Sequence, residues 1–303
     1  MKYVIVLGDG MADYPLPELS GKTPLMAAEK PCIDFIADRS IRYGLVKTTV
    51  DGLPAGSDVA NMTVMGYDPR RYYTGRGPLE AASIGIPLLP DDVAFRCNLI
   101  TADEHIIDYS AGHISTGEAS VLMKYLDSEL GGDGIRFYPG ISYRHLLVIS
   151  RCPEGIICTA PHDVLGQPVG DHLPKGPGSD RIISLIQASR DLLEDHPVNK
   201  KRISEGKRPA NLIWPWGQGR SPAMPTFKDR FSLDGAVISA VDLIKGLGTF
   251  AGMDVIDVPG ATGYLDTDYG AKAAYGLRTL ETSDFIFVHV EAPDEASHEG
   301  RVE

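Results

Sequence analysis

The run Tyr3-Val4-Ile5-Val6-Leu7-Gly8-Asp9-Gly10 decides how the rest of the chain is read. Five apolar residues in succession read as a strand buried on both faces of a parallel sheet. Glycines on either side let the backbone turn sharply and leave Asp9 at the carboxyl end of the strand, where open α/β sheets hold ligands. A plain Gly-Asp-Gly turn is the simpler alternative. The spacing makes no dinucleotide fingerprint, and no Walker A sequence occurs anywhere.

Outward from this strand, a helical region is expected from Leu25 to about Asp38, with Pro31 opening its second segment. Ile41 to Thr49 reads as a second strand, leading into Gly56-Ser57-Asp58-Val59-Ala60-Asn61-Met62-Thr63-Val64-Met65-Gly66. Val59, Met62, Val64 and Met65 give the following helix a buried side, and Gly66 ends it. The Ser57 hydroxyl lies near unpaired N–H groups and the positive end of the helix dipole, a place suited to phosphate. An ordinary N-cap is the alternative. Strand, helix, strand, loop, helix opens a doubly wound, mostly parallel α/β domain.

From about Asp91 the texture changes to paired short strands around one helix, Ser115 to Leu130. The expected organisation is a core formed by 1–90 and 209–303, with an α+β domain inserted at 91–208. Tyr73-Thr74-Gly75-Arg76-Gly77 exposes a guanidinium between glycines, useful for gripping phosphate or carboxylate. Within the insertion, Ser110-Ala111-Gly112-His113, Ser142-Tyr143-Arg144-His145 and Pro161-His162-Asp163 each set a basic group among small or turn-forming residues. Trp214-Pro215-Trp216 reads as a packed hinge or a binding loop, and composition does not choose between them. α/β texture resumes to a last apolar strand, Asp284 to Val290. Beyond it, a helix after Pro293 puts Asp294 and His298 on one face, able to share a cation.

Composition limits the partners. A net charge of −12 argues against a general nucleic-acid or anionic-membrane surface, so an anionic substrate needs a local basic pocket. Four scattered cysteines make no disulfide framework or zinc-finger spacing. With no signal peptide and no membrane-length apolar run, the expected compartment is the cytoplasm. Asp9, Ser57, Asp294 and His298 all fall at one expected sheet edge. Together they suggest a hydroxyl activated as phosphoryl acceptor by divalent cations.

These residues resemble the cofactor-independent phosphoglycerate mutases, in their archaeal-type branch within the alkaline phosphatase superfamily. The resemblance rests on Gly8-Asp9-Gly10, Gly56-Ser57-Asp58, Thr74 to Glu80, Pro161-His162-Asp163, Trp214 to Gly217, Asp242 to Gly248, and Val288 to Asp294 with His298. It implies an alkaline-phosphatase-like sheet and interconversion of 3- and 2-phosphoglycerate through a phosphoserine at Ser57. Asp9 and Ser57 would hold one divalent ion, and Asp294 and His298 would begin a second site. Manganese or magnesium is expected first, zinc or cobalt next, with neither 2,3-bisphosphoglycerate nor a nucleotide. Arg76, His113, Arg144 and Lys245 are the candidate substrate contacts. The family continues into an adjacent Asp-His pair and a further His that complete both metal sites; this chain stops at Glu303. The alternatives are therefore a metal-dependent phosphatase or phosphodiesterase of the same superfamily, or an inactive fragment.

Overall fold

The computed structural model describes residues 1–302. In chain order its strands are β1 (Tyr3–Gly8), β2 (Val93–Ala102), β3 (Ile106–Asp108), β4 (Ile135–Tyr138), β5 (Arg144–Ile149), β6 (Leu212–Gly219), β7 (Gly235–Ile238), β8 (Asp254–Val255) and β9 (Phe285–Val290). The chain forms two compact units: Met1–Tyr73 with the residues from Met224 onward, and Thr74–Ala223.

The first unit holds a parallel sheet of order β1-β9-β7-β8. Its strands are joined through helices, as parallel strands require. Ala236, Ile238, Ile286 and Val288 form an apolar cluster with Val258, packed by Ala271 and Tyr275 of the helix Tyr269–Thr279. Each large aliphatic side chain removed from water there contributes about 1.5–3 kcal/mol. The helix Ser57–Val64 buries Val59 and Met62, and Gly66 follows it with φ +85°, the left-handed conformation expected of a residue ending a helix.

Two expectations for this unit need correction. Ile41 to Thr49 forms no strand; Ile41, Tyr43, Leu45 and Val46 are exposed and find no pairing partner among the described residues. An alternating apolar segment becomes a strand only where another strand supplies its hydrogen bonds. β1 is an edge strand, with Val4 and Val6 exposed rather than buried on both faces.

The second unit is built on an antiparallel sheet, with β3, β5 and β6 all pairing with the long β2 and β4 pairing with β5. Its core includes Phe95, Leu99, Leu122, Leu147, Ile182 and Trp214. The helix Thr116–Leu130 begins with a reciprocal capping box between Ser115 and Glu118, satisfying two otherwise unpaired backbone N–H groups. The Trp214-Pro215-Trp216 segment is neither hinge nor loop but part of β6. Trp214 Nε1 donates to Thr159 O at 2.8 Å and Trp216 Nε1 to Asn98 Oδ1 at 3.0 Å. Pro215 is accommodated because β6 pairs with β2 alone, so its missing N–H costs no second ladder. The fold is thus α/β as expected, with a parallel sheet joined through helices in one unit and an α+β arrangement in the other.

Candidate active site

Ser57 is the first residue of its helix, and the cap position belongs to Gly56. The hydroxyl is therefore not spent on capping. It lies near the Asp9 carboxylate and helps to favour that group's charged form. Asp9 sits one residue beyond β1, and its N–H donates to Val290 O of β9 at 2.9 Å. Gly10 follows with φ +69°, and a Cβ there would lie 2.5 Å from Asp294 Cα. The glycine thus both permits the turn and lets the helix Ala292–His298 approach the Asp9 loop.

Two residues without an assigned role in the sequence complete this cluster. His289 Nε2 lies 3.1 Å from Asp9 Oδ2 and 3.3 Å from Glu291 Oε2. Asp9, His289 and Glu291 each offer a ligand atom, all within 4.8 Å of one another. The third addition is Asn61, on the same helix as Ser57, whose Nδ2 donates to Asp9 Oδ2 at 3.2 Å and to Ser57 O at 2.9 Å. His289 and Glu291 flank Val290 at the end of β9, so the period of two of an extended strand puts both on one side. That signal was present in the sequence. The pairing Leu7↔His289, which brings them to Asp9, was not.

Burial alone would raise the Asp9 carboxyl. The hydrogen bond and charge of His289, with help from Asn61 and Ser57, outweigh it and hold the group below its ordinary range. Glu291 goes the other way, pushed up to about 7 by burial first, then by the carboxylates of Asp9, Asp294 and Glu295. Lys272, only 2% exposed, opposes that rise but gives its Nζ to His289 O at 3.1 Å rather than to a carboxylate. Glu291 Oε2 and Asn61 Oδ1 are buried without a hydrogen-bond partner. His289 reaches Glu291 only at ion-pair distance, because its Nε2 already faces Asp9 in hydrogen-bonding range. Clustered carboxylates with unmet acceptors and one imidazole fit a divalent cation.

Asp294 and His298 form a pair of their own on the last helix, Oδ2 to Nε2 3.5 Å, with the imidazole mostly exposed. The substrate candidates divide between the units. Lys245, on the helix Asp242–Phe250 of the parallel unit, is paired with Asp257 at 2.8 Å. In the antiparallel unit, Arg76 and Arg144 share an electrostatic neighbourhood with the buried Arg96, whose guanidinium is pushed down by burial, against the pull of Glu80. Arg96 and Arg76 lie over the Trp216 ring at 4.5 and 5.9 Å, and Arg144 lies over Tyr143 at 5.6 Å. His113 meets the same Tyr143 ring at 6.1 Å, and His162 meets Trp216 at 5.1 Å. Burial depresses His162, and the Arg76 and Arg96 charges add to the effect. Three guanidiniums, the buried one paired with Glu80 at 2.9 Å, thus cluster with aromatic rings in one part of an acidic protein.

Known proteins are similar to this chain along its whole length. A profile of the 2,3-bisphosphoglycerate-independent phosphoglycerate mutases matches residues 38–199. An enzyme of that name from Methanosarcina barkeri is 57% identical over 305 residues, covering all of this chain and 76% of that one. A probable one from Geobacter sulfurreducens is 52% identical over 308 residues, covering 77% of its length. Among solved structures, a Pyrococcus horikoshii protein superposes with a TM-score of 0.81 at 29% identity, over 99% of this chain and 73% of the other. The cofactor-independent phosphoglycerate mutase of Thermoplasma acidophilum gives 0.61 at 28% identity, over 99% and 80%. With identity above one half across its whole length and the alkaline-phosphatase-like fold of these structures, the chain belongs to the family of 2,3-bisphosphoglycerate-independent phosphoglycerate mutases.

Proposed function

We propose that the protein interconverts 3-phosphoglycerate and 2-phosphoglycerate through a phosphoserine at Ser57. The observation that carries this reading is the uncapped Ser57 hydroxyl at a helix start, held against Asp9. The bond from phosphorus to the glycerate C3 oxygen breaks as one to Ser57 Oγ forms, Oγ gives up its proton, and the C3 oxygen takes up one. The return transfer to the C2 hydroxyl restores the serine. The helix N-terminus around Ser57 favours the phosphate it receives.

Asp9 and Ser57 contribute to one divalent site, and Asp294 with His298 to the beginning of another. Manganese or magnesium is the ion proposed first, with zinc or cobalt next. A bound dication would supply positive charge to lower the hydroxyl pKa and to offset charge on the transferring group. Neither 2,3-bisphosphoglycerate nor a nucleotide takes part. Arg76, His113, Arg144 and Lys245 are the proposed contacts for the anionic and hydroxyl groups of the substrate. Retention of glycerate away from water separates a mutase from a phosphatase. No helix among the described residues is long and apolar enough to cross a membrane. The proposed setting is the cytoplasm, with a small phosphorylated substrate and neither nucleic acid nor membrane as partner.

Incubation with 3-phosphoglycerate and a divalent ion tests the reading by its products. 2-Phosphoglycerate is expected; free phosphate without it would establish the phosphatase alternative.

A further inference from the structure

We infer that Asp9, His289 and Glu291 together form a binding site for one first-row transition dication, with His289 and Glu291 as direct ligands. The inference extends the functional reading above, which assigns Asp9 but neither of the other two. It does not need Asp294 or His298.

Backbone pairing builds the site. Leu7 pairs with His289 and Gly8 with Val290 in the parallel β1–β9 ladder, and the Asp9 N–H continues that ladder to Val290 O. His289 lies in β9, and Asp9 and Glu291 each lie one residue beyond the end of a paired strand, which limits the ordering cost of binding. His289 is fully buried, so its ring is fixed by packing.

The surroundings supply what a ligating imidazole requires. A metal on Nε2 leaves the proton on Nδ1, and that hydrogen normally goes to an oxygen that orients the ring. Ser239 Oγ lies 3.3 Å from His289 Nδ1 and is itself positioned by the Val241 N–H at 3.0 Å. Behind the ring, the Lys272 ammonium holds the His289 carbonyl. Asn61 is 1% exposed, with its amide against Asp9, yet its Oδ1 has no partner. Glu291 Oε2 is in the same condition. Two buried, unmet acceptors beside two carboxylates favour a cation, which would relieve the desolvation each now carries.

The donor set selects the ion. One imidazole nitrogen with two carboxylates suits Mn2+, Co2+ or Zn2+ better than Mg2+ or Ca2+, which prefer oxygen alone. The Ser57 hydroxyl lies near Asp9 and so beside this centre.

The test uses the metal-stripped chain titrated with MnCl2, followed by electron paramagnetic resonance, and with ZnCl2 by calorimetry. One ion per chain is expected, with nitrogen coupling from a single imidazole in the Mn2+ spectrum. His289→Asn should abolish that coupling and weaken binding at least about tenfold; Glu291→Gln should weaken it similarly and keep the coupling. Ser239→Ala, which leaves all three donors in place, should weaken binding by about tenfold. His298→Asn should change neither the coupling nor the affinity. Circular dichroism of each variant separates loss of ligand from loss of fold. No Mn2+ or Zn2+ binding by the folded wild-type chain, or a nitrogen signal lost in His298→Asn and kept in His289→Asn, overturns the inference. Phosphate appearing on Ser57 while His289 and Glu291 leave metal affinity unchanged would sink this inference and spare the mutase reading. The reverse result would do the opposite.

Discussion

His289 Nε2 stands 3.1 Å from Asp9 Oδ2, although 280 residues separate them in the chain. The parallel pairing of β1 with β9 makes this contact, and the contact holds the Asp9 carboxylate that the Ser57 hydroxyl meets. The candidate site is therefore a property of the sheet edge. Changes to that edge should be felt at the serine.

Gly10→Ala tests the edge directly. At φ +69° any side chain is strained, and the new methyl would press on the Asp294 backbone. Strain of about 1–3 kcal/mol is expected, with the last helix displaced from the Asp9 loop. Chemical denaturation should show the loss of stability, and metal titration a weaker site. A variant as stable and as tight-binding as the wild type would mean that the loop and helix do not pack as described.

Glu291 gives the metal-free protein a distinctive pH dependence. Its folded value of about 7 lies above the ordinary 4.5, so between these values the folded chain binds a proton that the unfolded chain releases. The sign follows: stability from this group is present below 4.5 and is lost as pH rises toward 7. The full difference is about 3 kcal/mol. Subtracting denaturation curves of Glu291→Gln from those of the wild type should isolate it. A difference flat across that window would show that the carboxyl is not held among uncompensated neighbours.

In the antiparallel unit, Arg202 anchors the loop that carries His113. Its guanidinium bonds Glu118 at 2.8 Å, Arg208 O at 2.9 Å and Ala111 O at 2.6 Å. Ala111, Gly112 and His113 all have positive φ, a conformation that needs such external support. Arg202→Met should cost about 2–4 kcal/mol, because it strands two carbonyls and a carboxylate. Hydrogen exchange should quicken first at residues 110–114. Unchanged exchange there would remove Arg202 from the support of the loop.

Much of this architecture was legible locally. Glycines around Asp9, the helix that begins at Ser57 and the helix expected from Ser115 to Leu130 are short-range features, and all form where the residues predict. What escaped depends on distant pairing. Ile41 to Thr49 has strand composition but no partner, and Pro215 sits in a strand because its other edge is free. His289 and Glu291 had the alternation of a strand end, but only the register with β1 brings them to Asp9. Their chemistry could be seen in the sequence; their company could not.

Arg144→Ala should separate substrate recognition from chemistry. The side chain is exposed beside Tyr143 and forms no ion pair of its own among the described residues, so the fold should hold. Loss of a guanidinium–carboxylate contact of about 1.5–3 kcal/mol should raise KM by about ten- to a hundredfold. Steady-state kinetics with 3-phosphoglycerate would reveal it, and an unchanged KM would exclude Arg144 from the substrate site.

The central claim is that Ser57 carries the phosphoryl group between the two hydroxyls. The most direct measurement is to incubate the metal-loaded chain with 3-phosphoglycerate, quench it with acid, and map phosphate by mass spectrometry of the peptide spanning Ser57. The account predicts phosphate on Ser57 in the wild type, and neither phosphoprotein nor 2-phosphoglycerate from a folded Ser57→Ala variant. Phosphate on another residue, or 2-phosphoglycerate formed by Ser57→Ala, would contradict it.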